Sequence, residues 1–339
     1  MKGTYYTGLQ SLETRDLVLP PLGEKDILVR NEACGVCGTD IHIYHGEPGS
    51  AQVTPPVILG HEYAGIVEQV GAQVENIQPG MRVSIDPNLY CGLCAPCRKG
   101  KKHLCENMSA IGVTRDGGFA QYSMVPASQA YPVSPALDAE SAACAEPLSC
   151  CIHGMDLAGI RSGDTVLVIG GGFIGLLMVQ LARLAGASKV ILSEPKSTRR
   201  AVAQQLGCHH LIDPVQEDFL ALLNQYTGGQ GADVVLECAG APKASLQAVQ
   251  GAAKGATILL FSVPAPQAAL QLSLYDVFKK ELVIKGSFVN PDTFSRAIAL
   301  LESQQIVTKP LITDRYPVEE LEAAIAMQTS DESIKVMVV

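Results

Sequence analysis

A glycine-rich turn between an apolar strand and an apolar helix restricts the fold of this chain more than any other segment does. Residues 165–186 read TVLVIGGGFIGLLMVQLARLAG, which is a five-residue strand pattern, a turn and a helical pattern. The turn fits the frame G-x-G-x-x-G, which lets the backbone approach a pyrophosphate at the helix N-terminus. The segment therefore predicts a dinucleotide-binding site. The expected cofactor contacts are Gly170, Gly172, Phe173, Ile174 and Gly175.

An acidic residue at the end of the next predicted strand indicates which dinucleotide binds. The run KVILS is followed by Glu194. A carboxylate at this position accepts a hydrogen bond from the 2′-hydroxyl of the adenosine ribose and repels a 2′-phosphate. Arg199 and Arg200 follow and could attract a phosphate, but we expect them on the next helix, with one of them covering the adenine. NAD is therefore favoured over NADP.

Strand and helix patterns alternate from residue 165 onwards. The candidate strands TVLVI, KVILS, ADVVLECAG, ATILLFS and ELVIKGSF are separated by stretches with helical spacing, which predicts a doubly wound parallel sheet. Residues 22–85 instead show short β-forming runs divided by glycine and proline. With 339 residues, the chain exceeds one ordinary domain. We expect an α/β protein with a cofactor domain at 149–275 and a β-rich catalytic domain at 1–148 and 276–339.

Four cysteines fall within fifteen residues, in the segment CGLCAPCRKGKKHLC. The spacing C-x2-C-x2-C-x7-C brings four sulfurs around one tetrahedral ion, the geometry that Zn²⁺ prefers. Four thiolates fill the coordination shell and leave no position for water or substrate. We therefore predict a structural zinc site, and the chemistry must lie elsewhere. Its ligands are Cys91, Cys94, Cys97 and Cys105.

Composition indicates the cellular compartment of the protein and the classes of partner that it is expected to bind. Eleven cysteines fit a reduced, cytoplasmic protein whose thiols bind metal or are buried, because disulfides are rare there. The N-terminal residues lack the apolar run of a signal peptide, and no window approaches the roughly 18 apolar residues of a membrane span. The net charge of −9 argues against nucleic acid and anionic membranes as partners.

A second group of potential ligands differs in chemistry from the four cysteines. It is divided among the segments EACGVCGTDIHIYHG, ILGHEYAG and CAEPLSC. A thiolate, an imidazole and one or two carboxylates would make a catalytic zinc site with room for water. Spacing alone leaves this open, since a buried or surface histidine is about equally compatible with the pattern. The candidates are Cys37, His42, His45, His61, Glu62 and Glu146.

Motifs along essentially the whole chain resemble those of the medium-chain zinc dehydrogenases. The chain is similar to the sorbitol- and threonine-dehydrogenase branch, because it has GHE and EPLS rather than a third cysteine ligand. The resemblance implies a GroES-like catalytic domain joined to a Rossmann domain, with two zinc ions per chain. The motifs are GVCGTDIH, GHEYAGIVEQVG, GMRVSIDP, the four-cysteine segment, DGGFAQY, AEPLSC, VLVIGGGFIG, DVVLECAGAP and SIKVMVV.

The resemblance also implies which residues bind the catalytic zinc. Cys37 and His61 match ligands of that ion. Glu62 matches an acid that binds zinc or exchanges with water, and Glu146 matches the remaining position, directly or through water. The four-cysteine segment matches the structural zinc of the family, in agreement with its closed set of ligands.

Further positions match residues that handle protons and cofactor. Thr39 matches the hydroxyl that takes the substrate proton, and His42 matches the histidine that passes it towards solvent. Asp40 would support the zinc ligands. Lys335 matches a basic position near the cofactor pyrophosphate.

The implied activity is the reversible oxidation of a secondary alcohol to a ketone, with a polyol, sugar acid, sugar phosphate or related small molecule as substrate. Ile43 and Val289 stand where sorbitol-type enzymes tend to have tyrosine and arginine. An enzyme working mainly as a reductase would use the same residues. The alternative from another class is a non-catalytic nucleotide-binding sensor or structural protein on the same fold. The resemblance further implies a homodimer or homotetramer, paired through strands near ELVIKGSF.

Overall fold

The computed structural model describes residues 1–49 and 51–339, which divide into two units. Unit 1 consists of Met1–Ser149 and Asn290–Val339, and unit 2 consists of Cys150–Val289. None of the helices in the described residues is long and apolar enough to cross a membrane.

The first segment of unit 1 consists mainly of short strands. Its elements are β1 (Lys2–Gly8), β2 (Ser11–Asp16), β3 (Asp26–Gly35), α1 (Gly38–Tyr44), β4 (Val57–Ile58), β5 (Glu62–Val70), β6 (Arg82–Ile85), β7 (Asn88–Leu89), α2 (Ala95–Arg98), β8 (Ser109–Ala110), β9 (Tyr122–Pro126), β10 (Ala130–Pro132), α3 (Ala139–Ala143) and α4 (Ala145–Ala158), the last of which continues into unit 2.

Unit 2 alternates strands and helices, and the chain then returns to unit 1. The elements of unit 2 are β11 (Thr165–Ile169), α5 (Phe173–Leu184), β12 (Lys189–Ser193), α6 (Ser197–Gln205), β13 (His210–Ile212), α7 (Phe219–Thr227), β14 (Ala232–Glu237), α8 (Pro242–Gly251), β15 (Ala252–Leu260), α9 (Leu274–Lys280) and β16 (Val283–Gly286). The returning segment contains α10 (Phe294–Glu302), β17 (Ile312–Tyr316), α11 (Leu321–Thr329) and β18 (Lys335–Val338).

Unit 1 is built around a mixed sheet of seven strands, in the order β10-β6-β5-β3-β18-β17 with β9 also paired to β3. Residues such as Ile27 and Val29 alternate inward along β3 and are fully buried, as expected for a strand with one face on the core. Strand β18 joins the sheet beside β3. This pairing brings the C-terminal strand next to the segment that follows β3, where the candidate zinc ligands lie.

Unit 2 contains a six-stranded parallel sheet in the order β13-β12-β11-β14-β15-β16. Counted along the chain this order is 3-2-1-4-5-6, that of a dinucleotide-binding doubly wound fold. Val166, Leu167 and Val168 are all fully buried, because helices cover both faces of a parallel sheet. The predicted fold class, a GroES-like β-rich domain plus a Rossmann domain, is confirmed.

The two units differ from the predicted division by one residue at the first boundary, after Ser149, and by more at the second. We expected the catalytic domain to resume at residue 276, whereas unit 2 extends to Val289. Strand β16 is the reason, since it pairs along its length with β15 and completes the parallel sheet. The assignment of catalysis and cofactor binding to separate domains stays a prediction.

Candidate metal and cofactor sites

Cys37 is positioned by the turn between β3 and α1. It is the N-cap residue of α1, and its backbone N–H donates to Oδ2 of Asp40 at 2.9 Å. A carboxylate in the first turn satisfies an N–H that the helix leaves without an intrahelical partner and complements the helix dipole. Asp40 is completely buried. The local sequence CGTD therefore fixes the direction of the thiol.

His61 and Glu62 reach the same place from β5. Gly35 lies opposite Glu62 in the β3–β5 pairing, two residues before Cys37. Gly60 has a φ of +91°, and a Cβ there would lie 2.7 Å from Sγ of Cys34, so this turn needs glycine. The register of two neighbouring strands thus places the imidazole and the carboxylate beside the thiol.

Cys37, His61 and Glu62 converge, with one potential ligand atom from each within 4.8 Å of the others. His61 and Glu62 are buried and Cys37 is half-buried. Nδ1 of His61 is buried, lies 3.5 Å from Oδ1 of Asp40 and has no hydrogen-bond partner among the described residues. A sulfur, a nitrogen and an oxygen donor form the set that zinc takes in catalytic sites.

The electrostatics of this cluster favour a cation. Loss of water and the nearby Glu62 raise the pKa of the Cys37 thiol. Burial lowers the pKa of His61, but Asp40 and Cys37 outweigh it, and the pKa lies well above its ordinary value. A buried thiol becomes a thiolate when a metal ion offsets its charge. The donor set and its surroundings therefore fit a zinc ion.

Lys335 lies against the carboxylate of Glu62. Its Nζ donates to Oε2 of Glu62 and, at 2.9 Å, to the carbonyl oxygen of Val36. Although burial lowers the pKa of Lys335, the charges of Glu62 and Cys37 raise it above its usual value. The sequence interpretation placed Lys335 near the cofactor, and that role stays a prediction. In the structure, Lys335 contacts the side chain of Glu62.

Glu146 lies outside the converging group. It is buried at the start of α4, but the described residues bring together only Cys37, His61 and Glu62 as a mixed set with ligand atoms within 4.8 Å. Its expected role at the zinc stays a prediction.

Thr39 and His42 lie three residues apart on α1, which places them on the same side of that helix. Nδ1 of His42 is 2.5 Å from Oε2 of Glu47. Sequence reasoning missed Glu47. The pattern HIYHGE contains the signal, because a glycine directly after a short helix permits a turn that folds the chain back on the helix.

The four predicted structural ligands do meet. Cys91, Cys94, Cys97 and Cys105 lie with their sulfur atoms within 4.8 Å of one another. The N–H groups of Leu93 and Cys94 each donate to Sγ of Cys91 at 3.4 Å. These hydrogen bonds lower the pKa of Cys91 to about 6, and N–H groups aimed at a sulfur favour the thiolate that binds metal. The set fits a closed tetrahedral zinc site.

The glycine-rich turn in unit 2 has the predicted shape. Helix α5 begins at Phe173 with Gly172 as its N-cap, and Ile174 follows in its first turn. Gly170 has a φ of +93°, and a Cβ on Gly175 would overlap the carbonyl oxygen of Gly170. Gly170 and Gly175 therefore each have a steric reason, and a helix N-terminus of this kind suits an anion.

Glu194 follows β12 and borders this turn. Its Oε2 accepts from the N–H of Gly171 at 2.6 Å and its Oε1 from that of Lys196 at 2.8 Å. Arg200 binds the carbonyl oxygen of Glu194 at 2.7 Å and the carboxylate of Asp213 at 3.0 Å. Its guanidinium is therefore engaged within the fold.

Comparisons with known proteins show the family of this chain. Residues 23–135 match the alcohol dehydrogenase GroES-like domain, and residues 174–303 match the zinc-binding dehydrogenase domain. L-threonine 3-dehydrogenase of Symbiobacterium thermophilum is 36% identical over 96% of this chain and 93% of its own length. The chain is a zinc-binding medium-chain alcohol dehydrogenase. Zinc and a nicotinamide dinucleotide are the cofactors of this dehydrogenase, which acts on CH–OH groups.

Solved structures resemble this dehydrogenase along its whole length. A zinc-binding dehydrogenase from Sinorhizobium meliloti, bound to NADP, has a TM-score of 0.94 and 40% identity, with 100% of this chain and 98% of that chain covered. Galactitol-1-phosphate dehydrogenase from Escherichia coli has a TM-score of 0.90 and 27% identity, with complete coverage of both chains. The predicted family, fold class and dehydrogenase activity are thus confirmed.

Proposed function

We propose that this dehydrogenase oxidises a secondary alcohol to a ketone, reversibly and with NAD, at the cluster of Cys37, His61 and Glu62. The convergence of these three donors in a buried site carries the proposal. Bound there, zinc acts as a Lewis acid that lowers the pKa of the substrate hydroxyl. Three protein ligands leave a coordination position for an oxygen.

The residues around the cluster hold the ligands in place. Asp40 is completely buried beside Nδ1 of His61, so it can take the N–H of that ring and leave the opposite nitrogen as the ligand. Lys335 holds Glu62 through an ion pair. Glu62 is thereby restrained without losing all of its acceptor capacity, because a carboxylate has about four lone-pair sites. Glu146 would complete the set, directly or through water.

Thr39 and His42 provide a route for the substrate proton. The hydroxyl of Thr39 lies two residues after the ligand Cys37, so the turn that presents the thiol also presents this hydroxyl. A hydroxyl is a weak base and must pass the proton on, and an imidazole can accept it near neutral pH. The side chain of His42 is 28% exposed, which connects this route to solvent.

The four-cysteine cluster has a structural role in this proposal. Four thiolates complete a tetrahedral shell around zinc and leave no position for a substrate. Its ion would therefore fix the segment between β7 and β8, which are paired with each other.

NAD is the proposed cofactor because of the surroundings of Glu194. Its buried carboxylate lies against Gly171 of the glycine-rich turn and would repel a 2′-phosphate. Arg200 is engaged by Asp213 and by backbone carbonyl groups, which leaves Arg199 on the same helix as the residue expected to cover the adenine. The Sinorhizobium relative was crystallised with NADP, so the choice depends on these side chains.

The substrate class is a small polyol, sugar acid, sugar phosphate or related alcohol. Relatives named for threonine and galactitol-1-phosphate both act on molecules with a secondary hydroxyl beside polar groups. Nicotinamide reduction with a panel of such alcohols, using zinc-loaded protein, tests the proposal. Turnover of one of them that disappears in Cys37→Ser supports it. Binding of dinucleotide without turnover of any alcohol or ketone would favour the sensor alternative.

A homodimer formed through β16 is the proposed assembly. β16 is the edge strand of the six-stranded sheet, and α9 beside it exposes Leu274, Tyr275 and Phe278 at 82%, 65% and 79%. An exposed edge strand with apolar neighbours invites pairing with a second copy. Light scattering measures the mass, and Val283→Pro should reduce it because proline cannot donate to the new pairing. A homotetramer would require a further surface.

We place the enzyme in the cytoplasm. All eleven cysteines are free thiols in the structure, and five of them belong to the two candidate metal-binding sets, four to one and Cys37 to the other. Such sets persist where thiols are kept reduced.

A further inference from the structure

The carboxylate of Glu47 contacts the imidazole of His42, the residue proposed to carry the proton. Nδ1 of His42 lies 2.5 Å from Oε2 of Glu47. The N–H of Glu47 also donates to the carbonyl oxygen of His42 at 2.8 Å, and Gly46 between them has a φ of +79°. Backbone and side chain therefore both tie Glu47 to His42, and the turn at Gly46 makes the contact possible.

The chemistry of the two partners determines which ring nitrogen carries the proton. A carboxylate accepts hydrogen bonds and donates none, and a neutral imidazole has a single N–H. Nδ1 of His42 must therefore carry that N–H when it is bonded to Glu47. Nε2 keeps its lone pair, and the part of the chain that the structure describes gives it no hydrogen-bond partner.

We infer that Glu47 is a positioning residue of the proton route, because it holds His42 in the tautomer whose Nε2 can accept a proton. This inference rests on the proposed function of His42. In the forward reaction the substrate O–H proton passes to the hydroxyl of Thr39, and the hydroxyl's own proton passes to Nε2. The imidazolium, stabilised by Glu47, then releases one proton to water and returns to its starting state. The electron pair of the substrate C–H bond leaves as hydride to the nicotinamide cofactor.

A second histidine at the same helix end provides a matched comparison. Nδ1 of His45 lies 3.1 Å from Nε2 of Gln10, so its partner is a neutral amide. Gln10→Ala therefore removes a side-chain contact to a histidine from the same region without touching the proposed proton route.

The test uses the zinc-loaded enzyme with ¹⁵N-labelled histidine, and His42→Ala identifies the ring signals of His42. We expect wild-type His42 to be protonated at Nδ1 when neutral. Glu47→Ala should shift the neutral ring towards the Nε2–H form, whereas Glu47→Gln, which still offers an oxygen acceptor, should shift it less. Gln10→Ala should leave the signals of His42 unchanged. A wild-type ring protonated at Nε2 overturns the inference whatever the activity.

Rates separate this inference from the proposed function. For alcohol oxidation near neutral pH, Glu47→Ala should lower kcat by about 3- to 10-fold, with little change in the KM for cofactor. This loss is below the roughly 10²- to 10⁴-fold contribution of a proton-transfer residue, because a minor tautomer of His42 and water can still accept the proton. If His42→Ala slows oxidation and both Glu47 variants do not, Glu47 has no positioning role while the route through His42 stands. If His42→Ala has no effect on the oxidation rate, the proton route itself is wrong, and the proposed role of Glu47 is then also wrong.

Discussion

Lys335 and Glu62, 273 residues apart in the sequence, form an ion pair in which each side chain is only 3% exposed. The pairing of β18 with β3 makes this contact possible, because it places the last strand beside the segment that leads to Cys37. Removing one partner of such a pair leaves an uncompensated buried charge.

Lys335→Met should therefore lower the free energy of unfolding by about 3–5 kcal/mol. The double variant Lys335→Met/Glu62→Gln should recover part of this loss, since neither charge then remains buried. Denaturant unfolding of the wild type, Lys335→Met, Glu62→Gln and the double variant gives the coupling energy of the pair. If the losses of the two single variants add up to the loss of the double variant, the coupling energy is zero and the pair has no energetic role.

The two zinc sites should respond differently to loss of one thiol. Cys94→Ser should release one zinc per chain and lower the melting temperature, because the cluster shapes the β7–β8 segment. Cys37→Ser should abolish turnover and leave the melting temperature nearly unchanged. Metal analysis and melting curves of both variants check this. Wild-type enzyme that holds no zinc at either site would contradict both assignments.

Glu194→Gln should reduce the preference for NAD over NADP. The amide keeps an oxygen that can accept from Gly171 or Lys196 but loses the charge that repels a 2′-phosphate. We expect the NAD/NADP ratio of kcat/KM to fall about 10- to 100-fold, since about 1.4 kcal/mol corresponds to a factor of ten. Glu217→Gln removes an equal charge from an exposed position in the loop between β13 and α7 and should leave the ratio unchanged. A wild-type preference for NADP would show that Arg199 outweighs the carboxylate.

The proton route predicts unequal losses at its two members. Thr39→Val should slow alcohol oxidation more than His42→Ala, because it removes the first proton acceptor while preserving the shape. The loss in His42→Ala should be about 10²-fold or less, largest at low pH, and partly recovered by added imidazole. Thr39→Ser retains the hydroxyl and serves as the control. The test measures oxidation rates from pH 6 to 10, with a deuterium isotope effect to show that hydride transfer limits the rate. If both variants then keep the wild-type rate, the proton route is excluded.

Asp86 should make stability depend on pH between about 4 and 6. Burial raises the pKa of Asp86 from 3.8 to about 6, against hydrogen bonds from Asn88 and Asn290 that lower it. A carboxyl whose pKa is higher in the folded protein contributes stability below its unfolded pKa and loses it as pH rises through 6. Asp86→Asn keeps an oxygen acceptor, so it should match the wild type at pH 4 and exceed it by about 2–3 kcal/mol at pH 8. Free energies of unfolding measured at both pH values for wild type and variant test the sign of this pH dependence.

Much of unit 2 was predictable because its signals are local. The apolar runs at β11, β12, β14, β15 and β16 and the glycines between β11 and α5 report burial and turn geometry within a few residues. The three-residue strand β13 was missed, since a run as short as His210–Ile212 shows no period. Helix α1 was also missed, because it has only seven residues inside a β-rich region.

The sequence by itself determined the family, the doubly wound sheet and the grouping of the four cysteines between Cys91 and Cys105, because motif spacing and apolar periodicity are properties of neighbouring residues. Tertiary structure alone decided that Glu62 lies against Lys335, that Glu146 lies outside the converging donors and that Glu47 closes on His42. These relationships depend on strand register and on where loops fold back. Such placement is fixed by packing between segments distant in sequence, which no local pattern encodes.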